Sequence, residues 1–145
     1  MKRNRSLPPF SVIPVLVYPD VTEAVEWLST RFGFVERTRI GDGHRAQMSV
    51  GENGAMIVAD VRGEQRPPQD GIVTHVLKIR VDDVDAQYER ARSKGARILE
   101  PPTECEYGER EFLVEDLAGH RWQFTETTRD VAPEEYGCQT ITPWP

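Results

Sequence analysis

The sequence predicts an α+β domain built from two βαβββ units. Two observations carry this. The order of apolar runs and turn signals reads β-α-β-β-β twice, and landmark residues return in register: YPDVTEA (Tyr18 to Ala24) matches VDDVDAQ (Val81 to Gln87), Gly33 and Gly95 each end a helix, and Gly54 and Gly119 each precede a closing strand. One such unit has too small a core to stand alone, so the two copies are expected to pack on each other. The competing reading is a ferredoxin-like or other mixed sheet with a chance echo.

Each element follows from local pattern. Val12 to Tyr18 is short and valine-rich, which predicts a strand. A helix follows, capped by Asp20 or Thr22, with Ala24, Val25, Trp27 and Leu28 on its apolar stripe and a stop at Gly33. Phe34 to Ile40 is a strand and Gly41 to Gly43 a turn. Arg45 to Gly51 alternates, with Ala46, Met48 and Val50 on one side and Arg45, Gln47 and Ser49 on the other. Asn53-Gly54 predicts a hairpin into the strand AMIVADV. The second unit repeats the order: a strand over Thr74 to Val81, a helix capped by Asp82 or Asp83 that stops at Gly95, a strand ARILEPP ended by Pro101-Pro102, a strand over Arg110 to Asp116, a turn at Ala118-Gly119, and a last strand HRWQFTET. The chain divides into an N-terminal arm (1–11), a domain over 12–127 (first unit 12–61, linker 62–73, second unit 74–127) and a C-terminal tail (128–145).

Composition narrows the function classes. The chain has 145 residues, 29% charged and 38% apolar, with a formal net charge of -6. An acidic balance gives no electrostatic case for nucleic acid or an anionic membrane. No apolar run reaches the eighteen or so residues of a membrane span, and none of signal-peptide length follows the basic start MKRNRSLPPF. Two cysteines, Cys105 and Cys138, make neither a disulfide framework nor a cysteine-rich zinc site. The expectation is a cytoplasmic protein with reduced thiols.

The stretches PVLVYPDVTEAVEWLSTRFGF, HVLKIRVDDVDAQYERARSKGARI and YGEREFLVEDLAGHRW together resemble the vicinal oxygen chelate superfamily of glyoxalases, bleomycin-resistance proteins and extradiol dioxygenases. The similarity spans Val12 to Glu126 and is nearest the PhnB-like, glyoxalase-like branch. It implies two βαβββ modules forming a curved, open mixed β-barrel, with helices outside and the site in the hollow. Members are commonly homodimers. Metal-using members place one ligand on the first and one on the last strand of each module, because a divalent ion needs donors converging from different strands.

Carried onto this chain, those places are Ile13, Val58, Val76 and Gln123. A single amide is a poor ligand set, so neither metal nor cofactor is expected. His75, His120, Trp122 and Phe124 should face the helix-covered side, and His44 should be a solvated loop residue. A one-residue slip in register would exchange the two faces.

The hollow is then expected to be lined by Val15, Val17, Arg45, Gln47, Ser49, Val58, Val76, Lys78, Arg80, Arg121 and Gln123, with Tyr107 and Arg110 at its mouth. Apolar walls with a few cations suit a small, partly aromatic ligand that is anionic or hydrogen-bonding. Lys78, Arg80 and Arg45 have a plainer alternative: solvated positions, or cross-strand pairs with Glu36 or Glu111. The leading expectation is a metal-free binder of a small organic molecule, sequestering a toxic compound. The alternatives are a metal-dependent lyase or dioxygenase, and a structural or regulatory domain without ligand. The tail, with Tyr136 and Trp144, is expected to drape over a homodimer partner.

Overall fold

The computed structural model describes residues 2–145. Its elements run β1 (Val15–Val17), α1 (Val21–Phe32), β2 (Val35–Ile40), β3 (Arg45–Val50), β4 (Gly54–Ala59), β5 (Leu77–Arg80), α2 (Val84–Ser93), β6 (Arg97–Glu104), β7 (Glu109–Glu115) and β8 (Arg121–Thr127), then a short 3-10 turn at Pro133–Tyr136. The expected order is present in full. The strands form two separate four-stranded sheets, β1-β4-β3-β2 and β5-β8-β7-β6, each with its first strand parallel to its last. They do not close into a barrel.

Both helices begin where an aspartate can satisfy an orphan amide. Asp20 accepts from the Glu23 N–H at 2.9 Å, and Asp83 accepts from the Ala86 N–H at 2.9 Å, which settles each pair of candidate caps. α1 buries Val21, Ala24, Val25, Leu28 and Phe32, spaced so as to fall on one stripe. α2 buries only Val84 and Ala91. It docks with polar help: Gln87 Nε2 donates to the Phe32 carbonyl at 3.0 Å, and Arg90 donates to the carbonyls of Thr30 and Ser29 at 3.1 and 3.2 Å.

One apolar cluster joins the two modules. Leu16, Tyr18, Met48, Met56 and Val58 of the first sheet meet Phe112, Val114, Trp122 and Phe124 of the second around Phe32 and Phe34. Phe32 stands edge-on to both Trp122 and Phe124, with ring centres 5.8 and 5.0 Å away. A buried polar knot crosses the same boundary. Asp116 accepts from Tyr18 Oη at 2.6 Å, Trp122 Nε1 at 3.0 Å and the backbone N–H groups of Ala118 and His120. His120 donates from Nε2 to the Val17 carbonyl at 2.8 Å. Burial, with Asp116 beside it, pushes the Tyr18 phenol well above its ordinary value.

Several expectations are corrected here. β6 does not end at Pro101-Pro102 but runs on to Glu104, with its register shifted between Glu100 and Thr103. It is an edge strand, where a missing N–H costs no ladder bond. Val58 belongs to the helix-covered cluster, paired with Leu16 and Ala46, so it cannot line the hollow. The cause is turn length: Gly54 already pairs with Val50, whereas Gly119 lies inside the longer turn between Glu115 and Arg121. Counting four residues from each glycine therefore lands on opposite faces. Arg110 has the parity of Phe112 and Val114, and it reaches Asp85 of α2 at 3.0 Å rather than the mouth. His44 is not merely solvated, since its Nδ1 is 2.7 Å from Asp60 and Arg62 lies against the ring. His75 stands exposed ahead of β5, where linker residues such as Pro67 and Pro68 rather than a helix are its neighbours.

Candidate functional site

Strand alternation leaves each sheet one face turned away from the shared cluster. On the first sheet this open face carries Val15 and Val17 of β1, Arg45, Gln47 and Ser49 of β3, and Ala55, Ile57 and Ala59 of β4. The place that corresponds to Gln123 is thus Ile57, which pairs with Val15 and Gln47 as Gln123 pairs with Lys78 and Leu113. On the second sheet the open face carries Lys78 and Arg80 of β5, Arg121, Gln123 and Thr125 of β8, and Glu109, Glu111, Leu113 and Glu115 of β7.

The N-terminal arm lies over the open face of the first sheet. Gln47, only 6% exposed, donates from Nε2 to the Ser6 carbonyl at 2.9 Å. Leu7 to Phe10, with Arg37, Gln47, Ser49 and Ala55, enclose a cavity of about 330 Å³. Arg37 is the residue skipped by the register shift of β2, and its Nε donates to Ser49 Oγ at 3.1 Å. Ile13 also lies beneath the arm. Arg45 has no carboxylate partner among the described residues, and its Nε is buried without a hydrogen bond; Glu36 is taken by Arg39 at 2.7 Å.

The open face of the second sheet is polar and organised around carboxylates. Glu111, 5% exposed, receives the hydroxyl of Tyr107, the thiol of Cys105 at 3.3 Å and the amide of Gln123 at 3.4 Å, all on Oε1. Lys78 Nζ is 2.7 Å from Oε2, yet that oxygen has no aligned hydrogen bond, so the contact is an ion pair only. The same ammonium sits 5.1 Å from the centre of the Tyr107 ring. Glu109 holds Arg80 at 3.2 Å and accepts from Thr125 and Thr127 at 2.6 and 2.7 Å. Arg121 donates to the Gly71 carbonyl at 2.9 Å and stands 3.9 Å from Glu115.

These contacts shift the titrating groups. Burial works to raise the Glu111 carboxyl, but the contacts from Lys78, Tyr107 and Cys105 outweigh it and hold the group below the usual carboxylate range. Burial likewise opposes Glu109, and its threonine and Arg80 partners prevail in the same direction. Hydrogen bonding with Cys105 and Glu111, with some burial, pushes the Tyr107 phenol far up. Burial and Glu111 raise the Cys105 thiol despite Tyr107 and Lys78, so a thiolate nucleophile is disfavoured.

A hollow of about 310 Å³ lies between the modules. Val12 and Pro14, the turn Val50 to Ala55, and Leu77 to Arg80 line it. It therefore brings Lys78 and Arg80 beside an apolar wall from the other module. Sequence reasoning offered Glu111 as a cross-strand partner for the cations, a pair Lys78 makes, but did not single it out as the centre that organises Lys78, Tyr107 and Gln123. Its position in the alternating run Glu109-Glu111-Leu113 was the available signal.

The metal-ligand places of the superfamily can be tested against these residues. Ile13, Ile57 and Val76 have no donor atoms, which leaves Gln123, whose amide nitrogen donates to Glu111 at 3.4 Å, as the one donor among the four places. No group of three or more His, Cys, Asp or Glu residues converges as a metal site among the described residues. The donor set does not fit a divalent ion. No helix among the described residues is long and apolar enough to cross a membrane.

Comparison with known proteins agrees with the architecture. The chain resembles TioX from Micromonospora sp. ML1, with 32% identity and a TM-score of 0.68 over 79% of this chain and 96% of that one. A glyoxalase/bleomycin resistance protein/dioxygenase from Nocardioides shares the fold at 20% identity and a TM-score of 0.66, over 86% of this chain and 87% of that one. An uncharacterized protein of Mycobacterium bovis is 29% identical over 131 residues, 84% of this chain and 86% of its own. The model of the Glyoxalase/Bleomycin resistance protein/Dioxygenase superfamily matches residues 12–124. The chain belongs to that superfamily.

Proposed function

We propose that this protein binds a small organic molecule at the open faces of its sheets without a metal ion. The donor set carries the reading: aliphatic Ile13, Ile57 and Val76 stand where chelating atoms would have to converge, and the single neutral amide of Gln123 is a poor ligand set. A metal-dependent lyase or dioxygenase, the other reading open to the superfamily, would need those places filled by His, Glu or Gln together. The groups proposed to meet the ligand are Val15, Val17, Arg45, Gln47, Ser49, Val76, Lys78, Arg80, Tyr107, Arg121 and Gln123.

The proposed role is sequestration of a toxic compound, in a PhnB-like, bleomycin-resistance-like protein that works as a cytoplasmic homodimer. Val12 lines the hollow and, like Val15 and Val76, is an exposed apolar side chain, which gains from a partner subunit or from a ligand. A thermal-shift screen over aromatic antibiotics, thiol adducts and phenolic acids tests the reading. At least one class is expected to raise the melting temperature in proportion to the logarithm of its concentration. Silence across all three would favour a structural or regulatory domain.

A further inference from the structure

We propose that Lys78 is the anion-binding group of the hollow between the modules, and that the ligand it takes is a small oxyanion, a carboxylate or phenolate carried on an apolar body. This rests on the reading of the protein as a metal-free small-molecule binder and names the class of ligand.

The placement of Lys78 is built rather than incidental. Its neighbours Leu77 and Ile79 pack on the shared cluster, so alternation turns the Lys78 side chain to the open face, beside Gln123 in register. There it meets a buried carboxylate. Glu111 spends Oε1 on the donors from Tyr107, Cys105 and Gln123, while Oε2 faces the ammonium at 2.7 Å without an aligned hydrogen bond. The Tyr107 ring flanks the same nitrogen at 5.1 Å. A flexible lysine is thereby held in one place, which lowers the ordering cost of a ligand that binds it.

The ammonium is nevertheless open to a guest. The Lys78 side chain is 46% exposed, against 4% for Glu111. An ammonium has three donor hydrogens, and the pairing with Oε2 engages one of them, leaving two for an incoming oxygen. The hollow of about 310 Å³ that Lys78 lines has Arg80, paired with Glu109, as a second cation, Glu52 as a carboxylate, and Val12 and Pro14 as apolar wall. Its volume is at the lower end of small-ligand sites, which limits the guest to roughly one ring. In a superfamily whose metal-using members present a cation to substrate oxygen, this chain presents a fixed ammonium.

Benzoate and its neutral isostere benzamide are suitable probes, followed by amide chemical-shift titration of the full-length protein. Benzoate is expected to shift the resonances of β5 and of Gln123, and to bind at least about tenfold more tightly than benzamide, the discrimination expected of one charge-assisted contact. Lys78→Met should bring benzoate down to the benzamide level, while Lys78→Arg, which keeps the charge, should retain preference for the anion. Unchanged dispersion in the spectra of both variants would confirm that the fold is intact. Equal affinity for the two probes, with Lys78→Met inert, would overturn the assignment of Lys78 while leaving binding in the hollow standing. No shift at β5 with either probe would overturn the assignment too, and the broader ligand screen would then decide separately whether the hollow binds anything.

Discussion

Asp116 is the residue on which the join between the modules most depends. Its carboxylate accepts from Tyr18, from Trp122 and from two backbone amides, and one of those side chains comes from the other module. Asp116→Ala strands these donors in a buried place, with a predicted loss of roughly 3–5 kcal/mol of unfolding free energy. Urea titration checks this; a change within about 0.5 kcal/mol, typical of a surface substitution, would contradict it. Glu111 gives a pH signature. Its folded carboxyl titrates below its unfolded value, so the stability it adds is present above the ordinary glutamate pKa of about 4.3 and is lost as pH falls through the depressed folded value. Glu111→Gln should therefore flatten the acid limb of stability against pH. An acid limb as steep in the variant as in the parent would show that Glu111 does not contribute. Gly108 has φ +87° and a Cβ there would come 2.3 Å from the Arg129 carbonyl oxygen, so Gly108→Ala should cost at least about 1–2 kcal/mol from the left-handed conformation alone.

At the scale of elements, the helices and most strand positions were readable from spacing, because capping aspartates, apolar stripes and period-two alternation are local signals. What was misread depended on information that is not local. Val58 and Gln123 were counted from similar glycines, but one hairpin turn is shorter than the other, and the parity of the whole strand follows the turn. Arg110 was placed at the mouth by resemblance to the loop that closes family sites, whereas it lies within β7 and shares the alternation of Phe112 and Val114. Glu111 was legible as a cross-strand partner for Lys78 but not as a centre, since that role arises from four partners distant in pattern, two of them in the turn before β7. The arm was legible as a basic segment with two prolines, but not its seat on the first sheet. Deleting residues 2–10 is predicted to uncover Gln47 and Ile13 and to speed amide hydrogen exchange in β3 and β4; unchanged exchange there would contradict the contact through Ser6.

For the molecule as a whole, one cluster of helix and sheet residues joins the modules and leaves each sheet an open face, the first covered by the arm and the second crossed by its own ion pairs. Tyr136 rests on Tyr107 of the same chain, with ring centres 5.9 Å apart, while Trp144 is 96% exposed. If Trp144 docks on a second subunit, removing residues from Ala132 onward should move the mass measured by light scattering from dimer toward monomer; a dimer of undiminished stability would reject that role. The central claim is the proposed one, that this member of the superfamily works without a metal ion, with Ile13, Ile57 and Val76 at places where others gather ligands. Elemental analysis of protein purified without chelator tests it most directly. The account predicts less than about a tenth of an equivalent of nickel, zinc or iron per chain, a level at which a bound metal ligates only a small minority of molecules. Stoichiometric metal that disappears in Gln123→Ala would contradict it.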